Sequence, residues 1–157
     1  MVSQNDAFDA EADCMRLCVD FANGVDARDY PRVVELFAPD GVLLTPAKAF
    51  RGHAGIADFL RARPLAMVTR HLCTNFRITP QPHGTATGVC YVVCFKTSCA
   101  ADPEYPLKTP VPLVAEYHDT FVQTDTGWRI RERRINPVFD PLETHMAAGQ
   151  KPGALTQ

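Results

Sequence analysis

Hydrophobic positions in the first part of the chain recur at helical spacing. Met15, Val19 and Ala22 lie four and three residues apart, which predicts an amphipathic helix over residues 9–25. One further step of four along this stripe reaches Asp26, a carboxylate where an apolar residue would continue the pattern. Because a buried carboxylate is costly unless it is paired or hydrogen-bonded, we expect Asp26 to have a specific partner.

Two further helices are predicted before the first long strand. Asp29 is suited to cap a short helix that carries Pro31 in its first turn and extends to Phe37. Pro39-Asp40-Gly41 is expected to stop that helix. The next predicted elements are a short strand at 42–45 and a third helix that follows 50–53 and ends before Pro64.

From residue 70 the period of the apolar positions changes from helical to two, which is typical of strands. His71, Cys73 and Asn75 are expected to share one face of the first of these strands. The predicted segments are a strand from 70 to the turn at 80–84, strand 85–97, an irregular loop at 98–112, strand 113–124, a hairpin turn at 125–127 and strand 128–138.

The order of elements, helices first and then a meander of long strands, predicts an α+β fold. We expect a curved antiparallel sheet whose one face is covered by the three N-terminal helices. The chain has 157 residues, which fits a single domain spanning 1–157. The ordered core is expected at about 8–140, with weak order signals in the tail at 141–157.

Charge and composition exclude several classes of function. The net charge is −2, with no basic run, so no strong field favours nucleic acid or an anionic membrane. The N-terminus lacks the features of a signal peptide, and no apolar stretch approaches the length that spans a bilayer. We therefore expect a cytoplasmic protein.

The cysteines and histidines do not have the spacing of a metal centre. The six cysteines include no Cys-x-x-Cys pair and are interpreted as free thiols, mostly small core residues. The five histidines show no metal-ligand spacing either. The sequence therefore predicts no metal site and no cofactor.

Asp26 and His71 are the main candidates for chemistry. An imidazole changes charge near neutral pH, and a carboxylate that binds one ring nitrogen orients the ring and stabilises its charged form. Together they would form a proton-transfer pair that needs no metal. The alternatives are a histidine that only caps backbone groups and an Asp26 that caps the second helix, although Asp29 is better placed for that role.

Three segments carry a resemblance to a known family: Gly24-Val25-Asp26, His71 at the head of its strand, and the final strand from Gly127-Trp128 to Arg134. With them the chain resembles the nuclear transport factor 2-like superfamily, and within it the SnoaL-like branch. The resemblance implies a cone-shaped sheet around the helices, with a pocket inside.

The resemblance also implies roles for individual residues. Scytalone dehydratase and hexachlorocyclohexane dehydrochlorinase carry an aspartate and a histidine at places that match Asp26 and His71. The second enzyme also uses an arginine five residues beyond a tryptophan, which corresponds to Arg133. Strand alternation puts Arg133 and Arg134 on opposite faces unless a bulge intervenes, so one of them at most is expected to face the pocket.

Five further residues are candidates for contacting a substrate. Each carries a hydroxyl, amide or carboxylate that could reach the pocket, and for each the alternative is an ordinary packed or interface residue. Tyr117 and Asp119 share one face of the strand before the hairpin turn. The candidates are Tyr30, Asn75, Tyr91, Tyr117 and Asp119.

The leading functional hypothesis is a cofactor-independent lyase of the dehydratase type, or an isomerase or cyclase, acting on a small hydrophobic and cyclic substrate. One alternative is a non-catalytic ligand-binding or assembly module, like the small subunit of a ring-hydroxylating oxygenase. Another is a hydrolase, such as an epoxide-opening enzyme, for which Asp119 with Arg133 would serve. The long strands suggest a homodimer or trimer.

Overall fold

The computed structural model describes residues 4–99 and 104–140, and their side chains from residue 7 onward. It confirms an α+β fold in which three helices pack on one curved sheet of six strands. The predicted tail at 141–157 lies outside the described residues. The elements are α1 (Gln4–Ala27), α2 (Tyr30–Glu35), β1 (Phe37–Leu44), β2 (Ala49–Arg51), α3 (Gly52–Arg61), β3 (Met67–Gln81), β4 (Thr85–Ser98), β5 (Leu113–Thr124) and β6 (Gly127–Phe139).

The strands follow the order β2-β1-β6-β5-β4-β3 across the sheet. The prediction of an antiparallel sheet is correct for every pair except β1 and β6, which run parallel. β1 comes before the meander of β3 to β6 in the chain, and it pairs with β6, the last strand of that meander. The direction of that pairing depends on the path of the chain, which hydrophobic spacing does not encode.

One face of the sheet is covered by α1, and we call it the inner face; the opposite face is the outer face. Phe21 of α1 meets Phe37 and Tyr117 edge to face, with ring centroids 6.0 and 5.9 Å apart. The helix therefore buries its apolar stripe against the inner face of the sheet, and Phe21, Phe37 and Tyr117 all belong to the hydrophobic core.

Two boundaries differ from the sequence prediction. α1 runs to Ala27 and ends where Arg28 adopts φ +60°, so Asp26 lies in the last turn of the helix. Phe37 does not end α2 but begins β1, fully buried and opposite Ile130. The Pro39-Asp40-Gly41 segment is an irregularity within β1 rather than a stop, because the parallel ladder with β6 resumes at Val42.

The start of α2 is fixed by the cap and by a glycine. Asp29 caps the helix as predicted, and its carboxylate accepts a hydrogen bond from the backbone N–H of Arg32. A Cβ added to Gly24 would lie 2.6 Å from a methyl group of Val33, so the glycine allows α1 and α2 to approach closely. Among the described residues, no helix combines the length and apolar character needed to cross a bilayer.

Candidate active site

The last turn of α1 meets the start of β3 through Asp26 and His71. Oδ1 of Asp26 lies 2.6 Å from Nδ1 of His71, and Oδ2 accepts the backbone N–H of His71 at 2.8 Å. One carboxylate thus binds both the ring and the main chain of the histidine, which fixes where the imidazole points. The two side chains retain 12% and 13% exposure, so the pair is largely removed from water but keeps a small surface in contact with solvent.

Arg28 joins the end of α1 to the segment between α3 and β3. Its guanidinium donates to the carbonyl oxygens of Pro64, Leu65 and Met67. The bond to Met67 is partly buried, and those to Pro64 and Leu65 are exposed. This clamp brings the first residues of β3 to the end of α1, although 45 positions separate Asp26 from His71.

A second arginine extends the network behind Asp26. Arg63 donates through Nη1 to the carbonyl oxygen of Val25 at 2.8 Å and through Nη2 to the hydroxyl of Thr69 at 2.9 Å. Thr69 in turn donates to Oδ1 of Asp26 at 2.7 Å. Oδ1 of Asp26 therefore contacts both the hydroxyl of Thr69 and Nδ1 of His71, and Arg63 fixes the position of Thr69.

The pKa values of the pair are shifted apart. Burial alone would lower the pKa of His71, but hydrogen bonds with Asp26 and Cys94 raise it from 6.5 to about 9. Burial would likewise raise the pKa of Asp26, yet the hydrogen bonds from His71 and Thr69 hold it below its ordinary value. At neutral pH the pair is therefore an imidazolium next to a carboxylate.

A buried ion pair lies further along the inner face. Arg133 of β6 binds Asp119 of β5 in a bidentate arrangement, with Nε to Oδ1 at 2.9 Å and Nη2 to Oδ2 at 2.6 Å. Cys18 of α1 joins them: its thiol accepts from Nη2 at 3.2 Å and donates to Asp119 at 3.3 Å. Such pairing offsets the large cost of removing both charges from water.

A bulge decides which arginine of β6 faces inward. Trp128 and Ile130 are buried on the inner face, and strict alternation from them would place Arg134 inside. The register with β5 shifts after Ile130, so two residues of β6 are passed where β5 advances by one. Arg133 is therefore fully buried and Arg134 faces solvent, as the family resemblance implied and the alternation alone did not.

The guanidinium of Arg133 lies between two aromatic rings. Its Cζ lies 4.4 Å from the ring centroid of Phe21 and 4.3 Å from that of Tyr117. Nη1 is buried and has no hydrogen-bond partner among the residues the structure describes. A free donor on a fixed cation is suited to an anion or a developing oxyanion.

Thiols occupy the inner face between the two charged pairs. Cys73 follows His71 by two positions on β3 and is half-buried. A hydrogen bond with Cys90 lowers the pKa of Cys73 to about 7, against the effect of burial, with further help from the positive charges of Arg133 and His71. Within 4–99 and 104–140, no three His, Cys, Asp or Glu side chains are arranged to hold a metal ion.

Two of the predicted substrate contacts are on the wrong side of the sheet. β3 has a bulge between Thr74 and Arg77, where Asn75 takes φ +53° and turns its side chain to the solvent. The prediction that Asn75 shares the face of His71 is therefore wrong. Tyr91 of β4 is 46% exposed and lies on the outer face next to Asn75, because the buried positions of β4 are its neighbours Cys90 and Val92.

The other three candidates lie within or beside the core. Tyr117 and Asp119 share the inner face, as predicted, and both contact Arg133. Tyr30 packs against the core, and its hydroxyl accepts a hydrogen bond from Arg28 at 3.0 Å. The contacts of Tyr30 thus join it to the clamp at the end of α1, not to His71.

Sequence reasoning missed Arg28, Arg63 and Thr69. Thr69 could have been found, because it precedes His71 by two positions and strand periodicity puts both on one face. Arg28 and Arg63 lie in connecting segments without any periodic pattern. Their hydrogen bonds go mainly to carbonyl oxygens of distant segments, and no spacing in the sequence predicts such partners.

A family profile for a SnoaL-like domain matches residues 6–134 of the chain. A comparison with curated proteins gives no match. The profile therefore covers every element from α1 to the middle of β6, including both charged pairs of the inner face.

Solved structures share this fold at low sequence identity. A hexachlorocyclohexane dehydrochlorinase, LinA-type3 from Novosphingobium barchaimii, has a TM-score of 0.74 and 18% identity, covering 87% of this chain and 92% of that chain. A Novosphingobium aromaticivorans protein, provisionally assigned as a scytalone dehydratase, has a TM-score of 0.67 and 19% identity, covering 82% and 83%. The Mycobacterium tuberculosis protein Rv3472, of unknown function, has a TM-score of 0.72 and 20% identity, covering 87% and 76%. At these identities the likeness shows the fold alone.

Proposed function

The chain belongs to the SnoaL-like domain family, as the sequence predicted, and on that premise we propose that it is a cofactor-independent acid–base enzyme. Its substrate would be a small hydrophobic and cyclic molecule. The reaction class we favour is a lyase of the dehydratase type, with an isomerase or cyclase as the alternative. Neighbours of the same fold include a dehydrochlorinase, which is an eliminating enzyme.

The contact between Asp26 and His71 carries this proposal. Nδ1 of the ring is occupied by the carboxylate at 2.6 Å, so Nε2 is the nitrogen that can exchange a proton with a substrate. Asp26 would stabilise the imidazolium when His71 takes up a proton. Such positioned proton transfer contributes typically about 10²–10⁴-fold to a rate.

In an elimination, His71 would remove the proton next to a carbonyl group, and the leaving group would depart from the neighbouring carbon. Arg133 is the cation on the inner face with a free donor, Nη1. It would stabilise negative charge on the enolate oxygen or on the leaving group. Asp119 would keep Arg133 charged and oriented through its bidentate contact.

The raised pKa of His71 gives a test of the direction of proton transfer. Its pKa of about 9 means that only a small fraction of the ring is neutral at pH 7. If His71 acts as a base, turnover rises with pH up to about 9. If it acts as an acid, turnover is full below about 9 and falls above it. We propose the base role for the rate-limiting step.

The experiment uses cyclic ketones and cyclic β-hydroxy ketones in deuterated water, followed by proton NMR. Wild-type protein should exchange the proton next to the carbonyl or form the unsaturated product. His71→Ala and Asp26→Asn should lose this activity, whereas His118→Ala, a histidine paired with Glu116 on the outer face, should keep it. Equal activity in His71→Ala and His118→Ala would exclude the mechanism.

A second candidate function is an assembly module. The outer face exposes Leu72 of the edge strand β3 at 56% and Tyr91 of the neighbouring strand β4 at 46%, which gives two large apolar side chains in contact with solvent. We propose that this face mediates a homo-oligomer. Light scattering should then give the mass of a dimer or trimer, and Tyr91→Lys should lower it. Co-purification with a larger oxygenase subunit, together with full stability of that complex in His71→Ala, would favour the assembly role over catalysis.

A further inference from the structure

Cys94 lies directly opposite His71 in the sheet. The two residues are partners in the antiparallel β3–β4 ladder, so their side chains project from the same, inner face. Directly opposite residues have Cβ atoms about 4.5–5.5 Å apart. The thiol of Cys94 is close enough to the imidazole to contribute to the raised pKa of His71.

The two sides of the imidazole therefore have different partners. Nδ1 is bound to Oδ1 of Asp26 at 2.6 Å, and Asp26 is held by Thr69 at 2.7 Å. Nε2 is left for the thiol or for a ligand. A carboxylate, an imidazole and a thiol in this order form the arrangement that activates a cysteine nucleophile: the acid orients the ring, and the ring takes the proton of the thiol.

We propose that Cys94 is a nucleophile of this site, activated by His71, and that it forms a reversible covalent adduct with α,β-unsaturated carbonyl compounds. The class of ligand rests on the proposed function, because elimination from a β-hydroxy carbonyl compound leaves this group. The reactivity of the thiol does not rest on it and is tested separately.

The step needs no further reactant. Nε2 of neutral His71 takes the proton of the thiol while the sulfur of Cys94 forms a bond to the β-carbon. The π electrons of the carbon–carbon double bond move toward the carbonyl oxygen and give an enolate. The imidazolium then returns its proton to the α-carbon, which yields a saturated thioether, and the reverse sequence releases the unsaturated ligand.

The other half-buried thiols have different surroundings. Cys73 has a weak contact of 4.0 Å with the carbonyl oxygen of Cys18, and Cys99 donates to the carbonyl oxygen of Ala66 at 3.4 Å. Cys94 has a weak contact of 3.9 Å with the carbonyl oxygen of Phe95. Two charged residues lie close to it in the ladder: His71, directly opposite, and Lys96, which follows Cys94 by two positions on β4. Cys94 is therefore the thiol that is directly opposite the imidazole.

The test measures covalent labelling of the full chain with 2-cyclohexen-1-one at one fixed pH. Intact-mass spectrometry gives the rate, and peptide mapping gives the site. The first adduct should form at Cys94, and Cys94→Ser should remove it while Cys73→Ser keeps it. His71→Gln should slow labelling at Cys94 by about 10²-fold, as expected for loss of a general base. His118→Gln is the matched control and should label at the wild-type rate.

First labelling at Cys73, or an equal rate in His71→Gln and wild type, would overturn the inference. If His71→Gln does not fold, as judged by circular dichroism, Asp26→Asn is used in its place and should also slow the labelling of Cys94. Proton exchange into ketones is measured on the same samples. Exchange that depends on His71 without labelling at Cys94 rejects the nucleophile alone, and independence of both from His71 rejects the proposed function as well.

Discussion

A histidine–carboxylate pair and an arginine–carboxylate pair of the inner face can each be compared with an exposed pair of the same type on the sheet. On the inner face, His71 and Asp26 lie 2.6 Å apart with 12% and 13% exposure. On the outer face, His118 and Glu116 lie 2.8 Å apart with 43% and 33% exposure. The contact distances are almost the same, so the difference between the two pairs lies in their surroundings.

The arginine pairs show the same contrast more sharply. Arg133 and Arg134 are adjacent in the chain, yet the Arg133–Asp119 pair is 0% and 2% exposed and the Arg134–Glu132 pair is 54% and 40% exposed. The inner pair has a 2.6 Å contact and the outer pair a 3.5 Å contact. One peptide unit therefore separates a fully buried ion pair from an ordinary surface contact.

The comparison shows that burial determines how strongly a charged pair affects pKa values and the stability of the fold. The His118–Glu116 and Arg134–Glu132 pairs each join residues two apart on one strand, in contact with water that screens their attraction. Each inner pair joins different elements, α1 to β3 or β5 to β6, where a lower effective dielectric strengthens the interaction. The inner pairs can therefore perturb pKa values and hold the fold together, whereas the outer pairs have little scope for either.

Removing the imidazole should give the largest difference between the two faces. His71→Ala should lower proton-transfer turnover by about 10²–10⁴-fold, because it removes the imidazole that Asp26 holds. His118→Ala should change turnover by less than about twofold, because its partner Glu116 is on the solvated face. The measurement is kcat on the best substrate of the NMR panel. Similar losses in both variants would show that the inner pair is not the catalytic group.

Breaking the buried arginine pair should have the next largest effect. Arg133→Met leaves Asp119 buried without its partner and should lower the free energy of unfolding by about 3–5 kcal/mol. Arg134→Met is the neighbouring control and should change it by about 0–1 kcal/mol. Urea denaturation measures both. The double variant Arg133→Met/Asp119→Leu should recover part of the loss, and failure to do so would mean that packing rather than charge causes it.

Removing the support behind Asp26 should have a smaller effect. Thr69→Val deletes the hydroxyl that links Arg63 to the carboxylate and should cost about 1–3 kcal/mol, because a buried polar group loses its partner. It should also raise the pKa of Asp26 and so move the acidic limb of the pH profile, because the hydrogen bond from Thr69 helps to keep that pKa low. Thr120→Val, on the exposed side of β5, is the control. A pH profile identical to the wild type would show that Thr69 has a structural role only.

The pH dependence of stability should give the smallest difference. The folded-state pKa of His71, about 9, lies above the ordinary value of 6.5, so the pair contributes fully below about pH 6.5 and its contribution is lost as pH rises through 9. The pKa of Asp26 is lowered, so its contribution is lost as pH falls below the ordinary range for a carboxylate. His71→Gln should thus lose more stability relative to the wild type at pH 6 than at pH 9.5. Parallel urea-midpoint curves would contradict the raised pKa.

Much of the fold could be predicted from periodicity. The stripe of α1 and the alternation along β5 gave both elements, and the order of elements gave the α+β class. The errors concern Asn75, Tyr91, the end of α2 at Phe37 and the direction of β1. Asn75 was misplaced because a bulge changes the parity of β3 without any glycine or proline to signal it. The parallel pairing of β1 follows from the path of the whole chain.

The candidate site could be predicted only in part. Asp26 interrupted an apolar stripe, which indicated a partner, and the family resemblance indicated His71 and Arg133. The resemblance was needed for Arg133, because alternation from Trp128 and Ile130 would have selected Arg134. Arg28 and Arg63 had no signal, since the contacts that join them to other elements go to carbonyl oxygens more than 30 positions away.

The sequence by itself determined which segments are helix and strand, and which carboxylate was out of place on an apolar face. These properties depend on neighbours within a few residues, so they can be read from local spacing. The tertiary structure decided which charges are desolvated, which of two adjacent arginines is buried, and which nitrogen of His71 is free. These properties depend on bulges and on contacts between residues distant in the chain, and burial then sets how strongly the groups interact.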